Sequence, residues 1–471
     1  MTYGHPPPIL LTSALLPVSA TLILNPLAPL ILPHGTLPLH QSAFPALQAS
    51  VGFSLLAFMG AVWCVPNVSA AFVEKGLRGK DLLKPSGGPW IPECLGLPCA
   101  SLYLVLMMLF IPFPFSHLFE NGVVDVFPQR ELTLYLSSLL SLFTAMLLGF
   151  IDDLFDIRWR HKLPIPIVAA VPTLLVYYSV GGLTSVVLPK SAVYWATKLG
   201  FGPIYYLYLV LLPTFTTNSI NILAGINGVE VTQALIIGLS VIFNDLLFLP
   251  IWPVKLLRWL GVGDAESGRV LEWAMGEVVD RHLMSLYFML PLVGVCAGFL
   301  WHNWYVYPAK AFPGDTFCYF TGMAFSAVAI QGHFSKTLIL FFIPQIFNFI
   351  LSCPQLFRLV DCPRHRLPAF QEETGLVYPS KVLFDTAPPK KTTVILKLFS
   401  LLGLVRLEKS SSGQITSSTN LTLINFLLVR VGPVSEQTLC LLVGLVQTLG
   451  SVVAFGVRYG VGSWFYGGDR R

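Results

Sequence analysis

Apolar positions along this chain do not alternate with polar ones. They gather into long runs free of Asp, Glu, Lys and Arg, covering residues 1–73, 94–119, 132–151, 163–189, 199–229, 282–309, 316–335, 337–357 and 437–457. A helix rising about 1.5 Å per residue needs about 20 mostly apolar residues to cross the hydrocarbon core of a bilayer. The pattern predicts ten spanning helices, at about 48–72, 95–118, 132–151, 164–182, 204–223, 229–250, 282–301, 316–333, 337–360 and 436–457. The sixth contains Asp245 near its far end. Trp159, Trp301, Trp304 and Tyr305 stand at run ends, where amphipathic rings favour the membrane interface. The expected fold is an all-α polytopic membrane protein.

Composition sharpens this picture. Of 471 residues, 54% are apolar and 11% charged, against about 25% charged in a soluble domain. That is too little polar surface to cover a solvated globule and too much apolar surface for a disordered chain. The net charge of +5 is spread too thinly to form a nucleic-acid-binding stripe. Basic residues instead collect at run ends, where phosphate or lipid headgroups are the natural partners. The eight cysteines include no CxxC pair and are expected as buried thiols. Residues 9–33 are interrupted by Pro17, Pro26, Pro29 and Pro33 and follow no basic segment. They are read as an interfacial or re-entrant piece, with an extra span as the alternative. Residues 361–435 form the longest stretch outside the spans, and Asn420–Val429 within it suggests a small folded appendage. Basic residues near the span ends divide evenly between the two membrane sides, so charge alone leaves the orientation open.

Four polar constellations interrupt this pattern. Asp152 and Asp153 close the third span, followed by Asp156 and by Arg158-Trp159-Arg160-His161-Lys162. A carboxylate at the bilayer centre costs about 2.5–3.5 kcal/mol, so an adjacent pair belongs at a helix end. Neighbouring side chains point about 100° apart and cannot serve one ligand from one face, whereas Asp156 shares the face of Asp152. A plain charged loop would read the same way. Asn218, Asn221 and Asn227 end the fifth run beside Gly225 and Gly228; amides there need hydrogen-bond partners, either a ligand or a neighbouring helix. Phe312-Pro313-Gly314-Asp315-Thr316 opens the eighth span, where Asp315 could equally cap the helix. Arg364, His365 and Arg366 follow the ninth span, where anionic lipid is the simpler partner. In a ten-span chain all four fall on one side of the membrane, together with Asp81 and Lys84. Asp and Asn oxygens facing Lys, Arg and His describe a magnesium–diphosphate site, since Mg²⁺ takes oxygen ligands and completes its shell with water and phosphate. No Walker motif or GxGxxG is present.

The segments GFIDDLFDIRWRHKL, TNSINILAGINGVE, FPGDTFCYF, GHFSKT and PRHR resemble those of the polyprenyl-phosphate hexosamine-1-phosphate transferases. The likeness is to the eukaryotic members that use UDP-N-acetylglucosamine (UDP-GlcNAc) and dolichyl phosphate, and it runs from about residue 46 to about 460. It implies an endoplasmic-reticulum enzyme of about ten spans with its active site facing the cytosol. It further implies Mg²⁺, with Mn²⁺ as a substitute, held by Asn221 and Asp315. Asp152 and Asp153 would lie near the lipid phosphate. Lys162, Arg364, His365 and Arg366 would hold the diphosphate and sugar. Phe312 would stack on uracil, with Gly225 and Asn227 at its edge, and Trp159 would border the lipid groove. Asp81, Lys84, Glu93, Asp156 and Asn218 complete the expected substrate-binding set; many relatives carry Asn where Asp156 stands. The expected organisation is an N-terminal extension (1–45), a transmembrane catalytic core (46–360), a cytosolic appendage carrying the PRHR motif between helices 9 and 10 (361–435), and the last helix with a lumenal tail (436–471). Partners to expect are a second copy of the chain and the next glycosyltransferase of the pathway. A nucleotide-sugar transporter is the alternative, although transport sites usually sit near the midplane and these residues collect at helix ends. The glycosylation patterns at Asn67 and Asn420 are expected to be unused.

Overall fold

The computed structural model describes residues 3–28, 44–85, 88–115, 128–155, 157–182, 184–187, 198–200, 202–363, 366–411 and 413–466. Among these, seven helices are long and apolar enough to cross a membrane: Ile9–Leu27, Pro45–Glu74, Gly96–Phe115, Gln129–Phe155, Val229–Leu246, Glu277–Tyr305 and Glu436–Phe465. A bent pair, Ser335–Phe341 and Ile343–Leu356, makes an eighth if its 66° break lies within one span. The chain is a multi-pass membrane protein.

In chain order the regular helices are α1 (Ile9–Leu24), α2 (Pro45–Glu74), α3 (Gly96–Phe110), α4 (Gln129–Phe155), α5 (Trp159–Lys162), α6 (Ile165–Ser179), α7 (Pro203–Ile222), α8 (Val229–Leu246), α9 (Val254–Leu260), α10 (Glu277–Leu300), α11 (Gly314–Gln331), α12 (Ser335–Phe341), α13 (Ile343–Leu356), α14 (Lys390–Leu401), α15 (Leu423–Val431), α16 (Glu436–Phe455) and α17 (Gly462–Tyr466). Three of the ten expected positions hold helices that are too short or too polar to cross a membrane by themselves. They are α6, which is short at 15 residues, α7 and α11. The reason is clear for α11. Every residue from Thr316 to Gln331 is buried, so the helix faces protein on all sides and its composition is not set by lipid. The N-terminal segment, expected as an interfacial or re-entrant piece with a span as the alternative, is a helix long and apolar enough to cross a membrane. It packs on α2, where Ser19 Oγ donates to Gly52 O at 2.8 Å.

Small residues let the backbones around α11 approach closely, as in membrane bundles generally. A Cβ on Gly322 would fall 2.5 Å from Thr217 Cα, and one on Gly149 2.8 Å from Thr316 Cα. Thr216 Oγ1 donates to Gly322 O at 2.8 Å across the first crossing. Gly322→Val therefore separates α7 from α11 and is expected to cost about 1–3 kcal/mol. Thermal unfolding in detergent measures this against Gly456→Ala, where the surrounding space is open.

Several polar residues buried among the helices are paired across them. Gln345 Nε2 donates to Gln233 Oε1 and Gln447 Oε1, each at 2.7 Å, tying α13 to α8 and α16. Asp245 lies 2.6 Å from His282 Nδ1, and both are buried. Short strands form among the described residues of the stretch 361–435. A hairpin joins Ala369–Gln371 to Leu376–Tyr378, and a three-stranded sheet places Ile415–Thr419 between Lys381–Leu383 and Leu407–Lys409. Asn420 is buried here, donating to Ser380 Oγ and accepting from Gln355, so its side chain has no room for a glycan.

Candidate active site

The site forms where the C-terminal end of α4 meets the N-terminal end of α11. Gly314 begins α11 with φ +71°, and a Cβ there would lie 2.7 Å from Asp153 Oδ2, so only glycine fits the turn. Asp153 accepts hydrogen bonds from Asp315 N at 2.6 Å, Thr316 N at 3.0 Å and Thr316 Oγ1 at 2.5 Å. The cap of α11 is thus supplied by a carboxylate from α4, and Asp315 is left free to face outward. Asp152, its neighbour, points elsewhere: Oδ2 lies 2.9 Å from Lys162 Nζ, and Oδ1 accepts from Ile157 N at 3.1 Å. The 100° between successive side chains divides the pair between two tasks.

Asp315 gathers the second constellation. Its Oδ2 lies 2.6 Å from Lys162 Nζ, and its Oδ1 accepts from Asn221 Nδ2 at 2.6 Å. Burial opposes the Lys162 charge, but Asp315 and Asp152 outweigh it and raise the ammonium's pKa, so it remains a cation. Asn218 turns away and donates to Thr214 O in its own helix at 2.8 Å; the structure does not bring it to the cluster.

The first loop closes the other side. A short hairpin pairs β1 (Arg78–Lys80) with β2 (Trp90–Pro92), and its end is bonded to the Phe312 turn. Phe312 N donates to Pro92 O at 3.0 Å, Leu95 N to Phe312 O at 3.1 Å and Gly96 N to Pro313 O at 2.8 Å. Asp81 accepts from Asn227 Nδ2 at 2.8 Å. Lys84 bridges Asp81, at 3.3 Å, and Glu436, which also accepts from Asn227 N at 2.9 Å. Burial works against the Lys84 charge, and the two carboxylates more than restore it, raising its pKa. Burial, then the nearby Asp315, pushes the Glu93 carboxyl up.

Between these walls lies a cavity of about 310 Å³. Its lining includes Lys80, Asp81, Glu93, Asn221, Gly225, Asn227, Glu230, Phe312, Asp315, Leu367 and Glu436. The segment after the ninth expected span reaches it through Leu367, against which a Cβ on Gly225 would fall at 2.5 Å. Arg366 is partly buried, and its Nη1 has no hydrogen-bond partner among the described residues. Asp156, Arg364, His365 and the Trp159 side chain lie outside the described residues. Sequence reasoning missed Glu436 and Glu230. Glu230 directly follows the Asn-Gly-Val motif and was within reach of that signal. Glu436 meets Asn227 from 209 residues away, and no local pattern carries that contact.

The donor set admits a hard divalent cation. Asp315 and Asn221 converge, and two oxygen ligands suffice for Mg²⁺ when water and substrate phosphate complete its octahedron. The cavity itself is rich in carboxylates and poor in cations, so an anionic substrate needs a counter-ion to enter.

An oxygen-rich polar cavity thus opens among the helix ends of a multi-pass membrane protein. The model of Glycosyl transferase family 4 matches residues 135–333, from α4 to just past α11. Two yeast relatives extend the match over nearly the whole chain, both described as UDP-N-acetylglucosamine–dolichyl-phosphate N-acetylglucosaminephosphotransferase. The Saccharomyces cerevisiae protein is 41% identical over 90% of this chain and 94% of its own length. The Schizosaccharomyces pombe protein is 41% identical over 92% and 96%. A Dictyostelium discoideum relative of the same description is 37% identical over 87% of each chain. The chain belongs to the family of UDP-N-acetylglucosamine–dolichyl-phosphate N-acetylglucosaminephosphotransferases.

Proposed function

We infer that this chain transfers N-acetylglucosamine 1-phosphate from UDP-GlcNAc to dolichyl phosphate, giving dolichyl diphosphate-GlcNAc and UMP, the first lipid-linked sugar for N-glycosylation. The observation that carries this reading is the convergence of Asp315, Asn221, Lys162 and Asp152 beside a cavity closed by the Phe312 turn, in a chain alike over its length to enzymes named for that transfer. An oxygen of the lipid phosphate bonds to the sugar-bearing β-phosphorus, and the bond from that phosphorus to the bridging oxygen breaks. UMP departs with the electron pair. Phosphoryl transfer asks mainly for positioning and charge neutralisation.

Asn221 and Asp315 would hold Mg²⁺, or Mn²⁺ in its place. The ion supplies neutralisation of the diphosphate and of the charge growing on UMP. Lys162 and Arg366, with Arg364 and His365 of the same motif, are the cations assigned to the phosphates; Arg366 Nη1, which has no hydrogen-bond partner among the described residues, supports this. Asp152 orients Lys162, and Asp153 holds α11 so that Asp315 faces the cavity. Phe312 offers a ring for the base, with Asn227 and Gly225 beside it. The lipid phosphate is largely dianionic at neutral pH, with a second pKa of about 6, so attack requires no dedicated base. A site at the mouths of helices also suits the two substrates, one arriving from water and the other sideways from the bilayer.

The ten-span topology, the endoplasmic-reticulum location and the cytosolic face of the site belong to the same reading. They rest on family resemblance, as do a homodimer and contact with the next glycosyltransferase. The test is conversion of UDP-GlcNAc and dolichyl phosphate by purified protein in detergent. Lipid-linked GlcNAc should form with Mg²⁺, stop with EDTA and return with excess Mg²⁺. Failure of well-folded protein to make product from this donor would overturn the reading.

A further inference from the structure

The geometry points to Lys162 as the occupant of the cation position at Asp315: its ammonium holds that carboxylate when no divalent cation is bound and gives it up when one binds. This rests on the metal assignment above and goes beyond it, because it makes Lys162 a competitor of the metal as well as a phosphate ligand.

Both Asp315 oxygens are engaged in this structure, Oδ2 by Lys162 Nζ and Oδ1 by Asn221 Nδ2, each at 2.6 Å. A dication on Asp315 would sit within a few ångströms of the ammonium, and the two would repel strongly in a cavity only partly open to water. Lys162 and Asp315 side chains are 19% and 27% exposed, whereas Asp152 is 0%. Lys162 has somewhere to go. Its flexible stem carries three donors, and Asp152 Oδ2 at 2.9 Å remains as a tether. Released from Asp315, the ammonium keeps one carboxylate and turns a donor toward incoming phosphate. Asn221 needs only a rotation of its terminal amide to present Oδ1 where Nδ2 now stands.

Two consequences follow from linkage. Lys162 weakens metal binding when no substrate is present. A diphosphate that draws Lys162 away strengthens metal binding, and the metal strengthens diphosphate binding by the same factor. Lys162 and the metal are thus alternative counter-ions of Asp315, and metal and nucleotide enter the site cooperatively.

The test reads binding and not turnover. Full-length protein in detergent is titrated with Mn²⁺ alone, and free Mn²⁺ is followed by its electron paramagnetic resonance signal. Lys162→Gln should bind about tenfold more tightly than wild type, and Lys162→Arg should stay weak. Asp315→Asn should abolish binding in wild-type and Lys162→Gln backgrounds alike. Persistence of binding in Asp315→Asn would overturn the metal assignment itself. Equal or weaker binding in Lys162→Gln, with Asp315→Asn still abolishing it, would overturn the exchange alone. A second measurement needs no variant: amine-reactive labelling of Lys162 in wild type, read by mass spectrometry. Labelling should rise several-fold on addition of Mn²⁺, and an unchanged level would contradict the exchange.

Discussion

Asp315→Ala is expected to reduce transfer from UDP-GlcNAc to dolichyl phosphate by at least about 10³-fold while leaving the protein folded. The size follows from what the side chain gathers. It is the common partner of Asn221 and Lys162, so its loss removes the proposed metal ligand and the element that aligns two other groups. Deleting one preorganised electrostatic group typically costs about 10²–10³ in rate, and loss of a metal adds to that. The fold survives because the cap of α11 is made by Asp153 to backbone N–H groups, which the substitution leaves in place. Lys162 keeps Asp152. Product formation and thermal unfolding, measured on the same preparation, separate the two effects. A variant with near-wild-type transfer would remove Asp315 from the site.

Asp153→Ala is expected to act in the opposite proportion, with a stability loss of about 3 kcal/mol and a rate loss of about 10²-fold. Three donors of α11 lose their acceptor at once. A helix cap is worth about 0.5–2 kcal/mol, and a buried donor left unpaired costs about 1–3 kcal/mol more. The rate falls through position alone, since a displacement of about 1 Å at a reacting centre can cost about 10²-fold. Asp153→Asn retains one acceptor oxygen and should recover about half of the lost stability. The melting temperature in detergent decides; if Asp153→Ala melts with the wild type, the cap does not secure α11.

The contrast between these neighbours shows how far the sequence could be read. That Asp152 and Asp153 serve different partners is a consequence of helical geometry and needed no structure. Which partner each takes is decided by where α11 begins, and this depends on contacts 162 and 163 residues away. The sequence marks Asp315 as a candidate site residue, and its position next to an apolar run equally makes it a candidate cap. The structure gives that task to Asp153 because Gly149 and Gly314 let the two helices meet without a Cβ between them. The helices themselves were legible wherever lipid sets the composition. The criterion weakens for α11, which is buried from Thr316 to Gln331 and carries Thr316, Thr321, Ser326 and Gln331 there without facing the bilayer. Glu436 was hidden for another reason: at the first turn of α16 it reads as an ordinary helix boundary, and its contacts with Lys84 and Asn227 are purely tertiary.

The central claim is that a phosphorus atom moves with the sugar. UDP-GlcNAc labelled with ³²P at the β-phosphate tests it directly, using purified protein, dolichyl phosphate and Mg²⁺. The account predicts that the label enters the lipid product and that the released nucleotide is unlabelled UMP. Label recovered in UDP, with GlcNAc alone on the lipid, would contradict it.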